Sequence, residues 1–551
     1  MGLLWLSAAS FAIYYLFLLL GRALKRHFLL KETCVKDIDA LGFPRTAAQK
    51  IRGTAVICGG SISGLLAARV CLDHFEEVVI VEAESWLGSD DAQRRDAWNQ
   101  EHTRSRVMQY NSFHAYPALV YQVYRKLFPY FDEECKASDV RINPADFRFS
   151  TYGDWQYVPY EEYGGALPCS TFVGRTGLEN LLRRLVLGGR HEHVRQIIGT
   201  VTGVSRSESN KQYLDRVLVR TEEGMQAVDA MLIMDCTGPV SAGMKWIRRE
   251  GFGVPESGKY PRGKLPLEQL NIKYDPNVYY STLRFHVPPQ VGTRFPGLTT
   301  SWDRCSSIYV CLTEAGVDSR AIYCQRIEGD MLQLCTGAWG CPDLPQTLDE
   351  FKAYTKSLVV RKPIPEWFLQ ILDILDEVKD TAVCSKTQFL TANHIRYEKA
   401  TNLPANFIAA GDSVMRVNPV FGQGCMKAFI GAICLNTLLQ KNVQSIPTDF
   451  SERFFKMQAD KTIPYWDAAK SFDYGYSTTV PMAGETLSVG SLIRWYTKQI
   501  FILAFTDKQA GMAIFEYRHF FAPSIVMMHP KLVAKVLWQY IANAAALRIS
   551  S

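Results

Sequence analysis

The chain opens on an unbroken apolar run, with no charged side chain between residues 2 and 21. Twenty residues rising about 1.5 Å each span roughly 30 Å, the thickness of a bilayer's hydrocarbon core. The first positive charges follow at Arg22, Lys25 and Arg26. This pattern predicts a single-pass transmembrane helix within residues 1–28. Positive charge on its C-terminal side places the body in the cytosol, with the endoplasmic reticulum as the expected membrane. A cleaved signal peptide would begin with basic residues, whereas this chain begins Met-Gly-Leu-Leu. A buried N-terminal helix is the alternative. Later apolar stretches are interrupted by Lys498, Asp507, His529, Pro530, Lys531 and Lys535, so no second span is expected.

Past a polar linker the periodicity changes. Thr54-Ala-Val-Ile-Cys58 reads as a buried strand, Gly59 to Gly64 as a turn, the apolar stretch after it as a helix, and Val78-Val-Ile-Val-Glu82 as a second strand. Further apolar strands end at Asp235 and at Gly411-Asp412. A loop follows the latter, then a helix expected to open at Gly422 and Gly424 and run to about Gln440. Runs of β-type composition fill about 265–345, a helical pair flanks Pro363 and Pro365, and the chain is helical and aromatic from about 449. The expected fold class is α/β. A Rossmann-like cofactor domain is assembled from 53–264 and 385–445, a β-sheet substrate domain at 265–384 is inserted, and a helical region at 446–551 follows the N-terminal anchor.

The glycine turn carries the first chemical signal. Gly59 permits a tight turn, Gly60 and Ser61 follow it, and Gly64 lets the helix pack close to the sheet while its N-terminus meets a pyrophosphate. Glu82, eighteen residues beyond Gly64, is placed to accept hydrogen bonds from an adenosine ribose. An acid there favours the unphosphorylated ribose of FAD or NAD. Ser61 departs from the usual fingerprint, which has glycine in the middle. The second signal is Gly411-Asp412, whose carboxylate can hold a ribityl hydroxyl, followed by Pro419, Gly422, Gly424 and Cys425. A helix N-terminus there would aim N–H groups at the flavin edge that gains negative charge on reduction.

These segments resemble the FAD-dependent monooxygenase superfamily of para-hydroxybenzoate hydroxylase and squalene epoxidase. Asp235-Cys-Thr-Gly238 is similar to the family's third motif. Val173-Gly-Arg175-Thr-Gly-Leu178 is similar to the helix start whose arginine lies along the cofactor. Pro464-Tyr-Trp466 and Asp473-Tyr474 are similar to stretches in a subgroup of flavin oxidoreductases. The resemblance implies FAD, with NAD(P)H visiting transiently because only one dinucleotide fold is present. Its active-site loop matches only loosely around Gln109 to His114, and His114 reads as a packing residue more readily than as a base. Trp155-Gln-Tyr-Val-Pro159 is distantly similar to a halogenase motif, but it is one residue short and lacks the second tryptophan.

Composition narrows the function. With 47% hydrophobic and 21% charged residues, a sizeable core forms. The net charge of +6 has no basic block, which argues against nucleic-acid binding. Fourteen scattered cysteines form no CxxC, so they read as buried thiols rather than metal ligands. The expected function is oxygenation, by hydroxylation or epoxidation, of a lipophilic specialised metabolite such as a terpenoid or polyketide, alongside other enzymes of a biosynthetic pathway. The alternatives are a flavin-dependent reductase or desaturase of prenyl-type lipids, and a non-catalytic binding protein resembling Rab GDP-dissociation inhibitors.

Overall fold

The computed structural model describes residues 2–550 except 256, 390, 423 and 441–443; for residues 2–14, 17, 18, 421 and 543–550 it describes the backbone alone. Its centre is a five-stranded parallel sheet. Spatially the order is Phe407–Ala409, Leu232–Asp235, Ile51–Cys58, Phe75–Glu82 and Val194–Ile198. Helices Ile62–His74 and Met426–Leu439 pack together over it. A parallel sheet covered on both faces has no wet side, which is why Ala55 to Cys58 and Val78 to Val81 read as continuous apolar runs. Helix Met426–Leu439 is buried nearly all round and is mostly apolar, with Lys427 and Asn436 as its buried polar side chains.

The inserted sheet is larger than the sequence indicates. Seven strands run in the order Val383–Gln388, Val278–His286, Met331–Trp339, Arg320–Arg326, Ser307–Leu312, Phe149–Thr151 and Asp154–Trp155. The last two enter from before residue 265, with Phe149–Thr151 pairing parallel to Ser307–Leu312. A second link is the small sheet of Asn271–Tyr274, Ala392–Ile395 and Met415–Arg416, which ties the insert to the loop that follows Phe407–Ala409. The helical pair appears as Leu348–Lys356 and Glu366–Ile374. Thr347 caps the first of these by accepting from the Glu350 N–H, while the Glu350 carboxylate accepts from the Gln346 N–H.

Four helices make up most of the C-terminal region: Phe450–Asp473, Ser491–Leu503, Lys508–Arg518 and Pro530–Ser550. At the other end of the chain, Gly2–Glu32 is one continuous helix. Its C-terminus is held by the buried Lys461, which donates to the Leu30 and Thr33 carbonyls and pairs with Asp37 at 2.9 Å. Among the described residues no helix is long and apolar enough to cross a membrane. The expected span at residues 2–21 falls mostly on residues whose side chains lie outside that description.

Candidate cofactor and active site

The parallel sheet borders a cavity of about 630 Å³. One end is the turn between Ile51–Cys58 and Ile62–His74. Gly59 holds φ at +117°, and a Cβ there would lie 2.3 Å from the Cys236 carbonyl oxygen. A Cβ on Gly64 would lie 1.8 Å from the Gly59 oxygen. Only glycine fits either position. Ser61 is the N-cap of the helix, so the first-turn residues Ile62 and Ser63, whose N–H groups have no intrahelical partner, line the cavity.

Glu82 ends the adjacent strand. Its carboxylate accepts from the N–H groups of Gly60 at 2.8 Å, Ala83 at 2.9 Å and Glu84 at 3.0 Å, and it pairs with Arg104 at 3.2 Å. Arg104 is also bound by Glu84 and Glu179. Burial works against its charge, yet the three carboxylates hold its pKa above the ordinary arginine value. Ser61 explains its own departure from the fingerprint. Its hydroxyl accepts from Arg175 at 2.7 Å and donates to Glu179 at 2.9 Å, joining the turn to helix Arg175–Leu187. Arg175, Glu179 and Arg183 lie four residues apart on that helix, with N–O separations of 3.4 and 3.8 Å. Arg183 also donates to the Gly60 carbonyl at 2.6 Å. Burial pushes the Glu179 carboxyl up, but Arg104, Arg175 and Arg183 outweigh it and hold the group below its usual range.

The far end of the cavity is built by the loop after Phe407–Ala409. The Asp412 carboxylate accepts from Lys427 Nζ at 2.8 Å, and the buried Lys427 also donates to the Met415 carbonyl. Pro419–Phe421 forms a 3-10 turn closed by Gly422 at φ +70°. The helix then begins at Met426, not at Gly422 or Gly424 as the glycine spacing suggests. Gly424 is outside the left-handed region, and a Cβ on it would meet nothing nearer than Pro419 Cβ at 3.9 Å. Cys425 Sγ lies 3.7 Å from an Arg175 nitrogen, and burial pushes its thiol up, so it stays protonated.

His114 lines the cavity as well. Its Nδ1 donates to the Ser112 carbonyl at 2.9 Å, which leaves Nε2 as an acceptor. Burial, reinforced by Arg175, pushes its pKa down to about 4, so the ring is neutral at physiological pH. Its loop docks on the seven-stranded sheet. Gln325 donates to the His114 carbonyl at 2.8 Å, and the Thr282 hydroxyl accepts from the Phe113 N–H at 3.3 Å.

Twelve of the fourteen residues singled out in the sequence line this one cavity: Gly59, Gly60, Ser61, Glu82, Arg175, Gly238, Gly411, Asp412, Pro419, Gly422, Gly424 and Cys425. Gly64 and Asp235 are not in the lining. Asp235 is fully buried behind it, accepting from the Thr237 N–H and hydroxyl, the Gly243 N–H and the Ser413 hydroxyl at 2.7 to 3.1 Å. It holds the Thr237-Gly238 turn, and Thr237 and Gly238 themselves line the cavity. Trp155 sits on the edge strand of the seven-stranded sheet, also outside the lining. Sequence reasoning missed Arg104, Glu179, Arg183 and Lys427. The four-residue spacing from Arg175 signals Glu179 and Arg183, whereas Arg104 lies in an irregular segment and gives no signal.

The donor set fits a flavin dinucleotide: an acid and a helix N-terminus at one end, and a carboxylate with a second helix N-terminus at the other. No protein-family model matches the chain. Protein Rv3254 of Mycobacterium tuberculosis (strain ATCC 25618 / H37Rv) is 24% identical over 459 residues, covering 80% of this chain and 84% of that protein. The flavin-dependent brominase Bmp2 superposes with a TM-score of 0.55 at 11% identity, covering 89% of this chain and 100% of that one. A flavoprotein/dehydrogenase from Cytophaga hutchinsonii superposes with a TM-score of 0.53 at 11% identity, covering 90% and 100%. At such identities the likeness is one of architecture: the chain shares the fold of these two flavoproteins.

Proposed function

We propose that the protein is an FAD-dependent monooxygenase that hydroxylates or epoxidises a lipophilic small molecule, a specialised metabolite such as a terpenoid or polyketide. The observation that carries this reading is the single cavity joining the Glu82 end to the Asp412 and Cys425 end beside the seven-stranded sheet. Bound FAD, reduced by NAD(P)H, would supply the oxidative chemistry: one atom of O₂ enters the substrate and the other leaves as water. The chain's own share is binding, orientation and electrostatics. Glu82 accepts from the adenosine ribose, and the first turn of Ile62–His74 receives the pyrophosphate beside Arg175. Asp412 accepts from the ribityl chain. The N-terminus of Met426–Leu439 favours negative charge at the flavin edge. Thr387, Gln388 and Phe389 wall the cavity on the side of the large sheet, where a substrate would displace water.

The proposed location is the cytosolic face of a membrane, the endoplasmic reticulum being the expected one, beside other enzymes of a biosynthetic pathway. The uncharged run at 2–21 and the basic residues after it support this. So does helix Pro530–Ser550, on which Ala534, Leu537, Trp538 and Ile541 form an exposed apolar stripe at helical spacing.

Purified protein supplied with FAD is expected to be yellow, to release FAD and not FMN on denaturation, and to consume O₂ when given NAD(P)H. Flavin reduction without oxygen uptake would instead indicate a reductase or desaturase of prenyl-type lipids. Failure to take up any flavin would point to a non-catalytic binding role.

A further inference from the structure

Behind the cofactor cavity lies a second, fully enclosed polar cluster centred on Asp473, the last residue of helix Phe450–Asp473. Its Oδ1 accepts from Asn418 Nδ2 at 2.7 Å and from Trp339 Nε1 at 2.9 Å, and its Oδ2 accepts from the Tyr274 hydroxyl at 2.8 Å. Asn418 in turn accepts from the Tyr280 hydroxyl and from the Val420 N–H at 3.3 Å. These contacts join three parts of the molecule. Tyr274, Tyr280 and Trp339 belong to strands of the inserted region, Asn418 opens the Pro419–Phe421 turn that lines the cavity, and Asp473 closes the long helix. Trp339 is clamped further by Tyr476, stacked at 4.1 Å.

All three donors to Asp473 are neutral, and the titratable groups around it are tyrosines: Tyr274, Tyr280, Tyr474 and Tyr476. A carboxylate buried among neutral donors is an expensive way to fill an acceptor site. An uncharged amide has the size and the acceptor for the same packing role, so packing alone does not account for an acid.

We propose that Asp473 is the positioning residue of the flavin loop: acting through Asn418, it locks the Pro419–Gly422 turn to the strands of the inserted region, so that the loop and those strands form one hydrogen-bonded unit. The proposal rests on the cofactor reading above. It also makes the loop sensitive to acid. Burial, against the donors Trp339, Asn418 and Tyr274, pushes the Asp473 carboxyl up to about 6. Below that value the carboxyl carries a proton, and one donor must turn away or be displaced.

The test uses the full-length, FAD-loaded protein and follows two signals, the visible spectrum of the bound flavin between about pH 5 and about pH 8 and the rate of its reduction by NAD(P)H. In the wild type the spectrum is expected to change with a midpoint near the carboxyl's own, about 6. Asp473→Asn keeps an acceptor for Trp339 and Asn418 and should give a spectrum that no longer moves with pH, with reduction within about threefold of wild type at neutral pH. Asn418→Ala cuts the link while leaving the acid in place, and should slow reduction by about tenfold or more with FAD retained, the scale of one or two lost buried hydrogen bonds. Asp473→Leu should do the same where it folds; where it does not, the Asn418 variant carries that arm. An unchanged pH response in Asp473→Asn, or wild-type reduction in Asn418→Ala, overturns the positioning role while leaving the FAD assignment intact. A wild-type protein that takes up no FAD overturns both.

Discussion

Glu82 serves two purposes, and substitutions there read out both. Its carboxylate organises three backbone N–H groups and helps neutralise Arg104, and in the proposed function it is also the acceptor offered to the ribose. Glu82→Ala should therefore weaken FAD binding by about 1.5–3 kcal/mol, roughly tenfold to a hundredfold in Kd; a titration of apoprotein with FAD that returns the wild-type Kd would remove Glu82 from the cofactor site. Gly424→Val is expected to act through space rather than through backbone strain. Its backbone is unstrained and its Cβ direction is open, so the variant should melt near the wild-type temperature and fail instead by filling the cavity. Slow flavin reduction with an unchanged melting curve is the expected pair of results. Asp473 adds a pH term. Its folded-state pKa of about 6 lies above the ordinary aspartate value of 3.8, so between the two the folded chain holds a proton that the unfolded chain has lost. Stability must then fall as pH rises through that window and level off above it, by on the order of 3 kcal/mol from this group. Urea midpoints for Asp473→Asn should lack that decline.

At the scale of elements, helix Phe450–Asp473 fastens two distant parts of the chain, with Lys461 holding the C-terminal end of the N-terminal helix and Asp473 holding the flavin loop. Lys461→Met removes the donor to two helix-end carbonyls and leaves Asp37 without its buried partner. The expected result is faster amide exchange confined to residues 28–40, with a loss of local stability of about 2–4 kcal/mol; unchanged protection there would show the contact to be incidental. The elements also show what a sequence can reveal. Thr54 to Cys58 and Val78 to Glu82 were legible because buried parallel strands are largely apolar, whereas the strands' first residues, with Arg52, Gly53, Glu76 and Glu77 exposed, gave no such pattern; the turn was legible because its glycines answer to steric demands within a few residues. Phe149–Thr151 and Asp154–Trp155 were not, because strands of three and two residues have too little pattern to announce a partner some 160 residues away. The start of Met426–Leu439 was misplaced because a 3-10 turn also uses a closing glycine. Arg104 was missed for a related reason: three carboxylates converge on it only after folding.

For the molecule as a whole, the first 28 residues and the catalytic body are separable in the proposed arrangement. A chain lacking them should leave the membrane fraction more readily and still bind FAD with the wild-type Kd, since among the described residues none that lines the cavity lies before Cys58. Protection of the whole body from protease inside intact microsomes would reverse the orientation. The charge arrangement around Arg104 has a further consequence. Glu82, Glu84 and Glu179 face Arg104, Arg175 and Arg183, three carboxylates against three guanidiniums, which sum to zero. A cradle already neutral and already hydrogen-bonded has little to rearrange when a dinucleotide arrives or leaves. Stripping the flavin should thus be reversible: cells short of riboflavin would accumulate folded, colourless protein, and that stock would turn yellow on mixing with FAD without passing through an unfolded state.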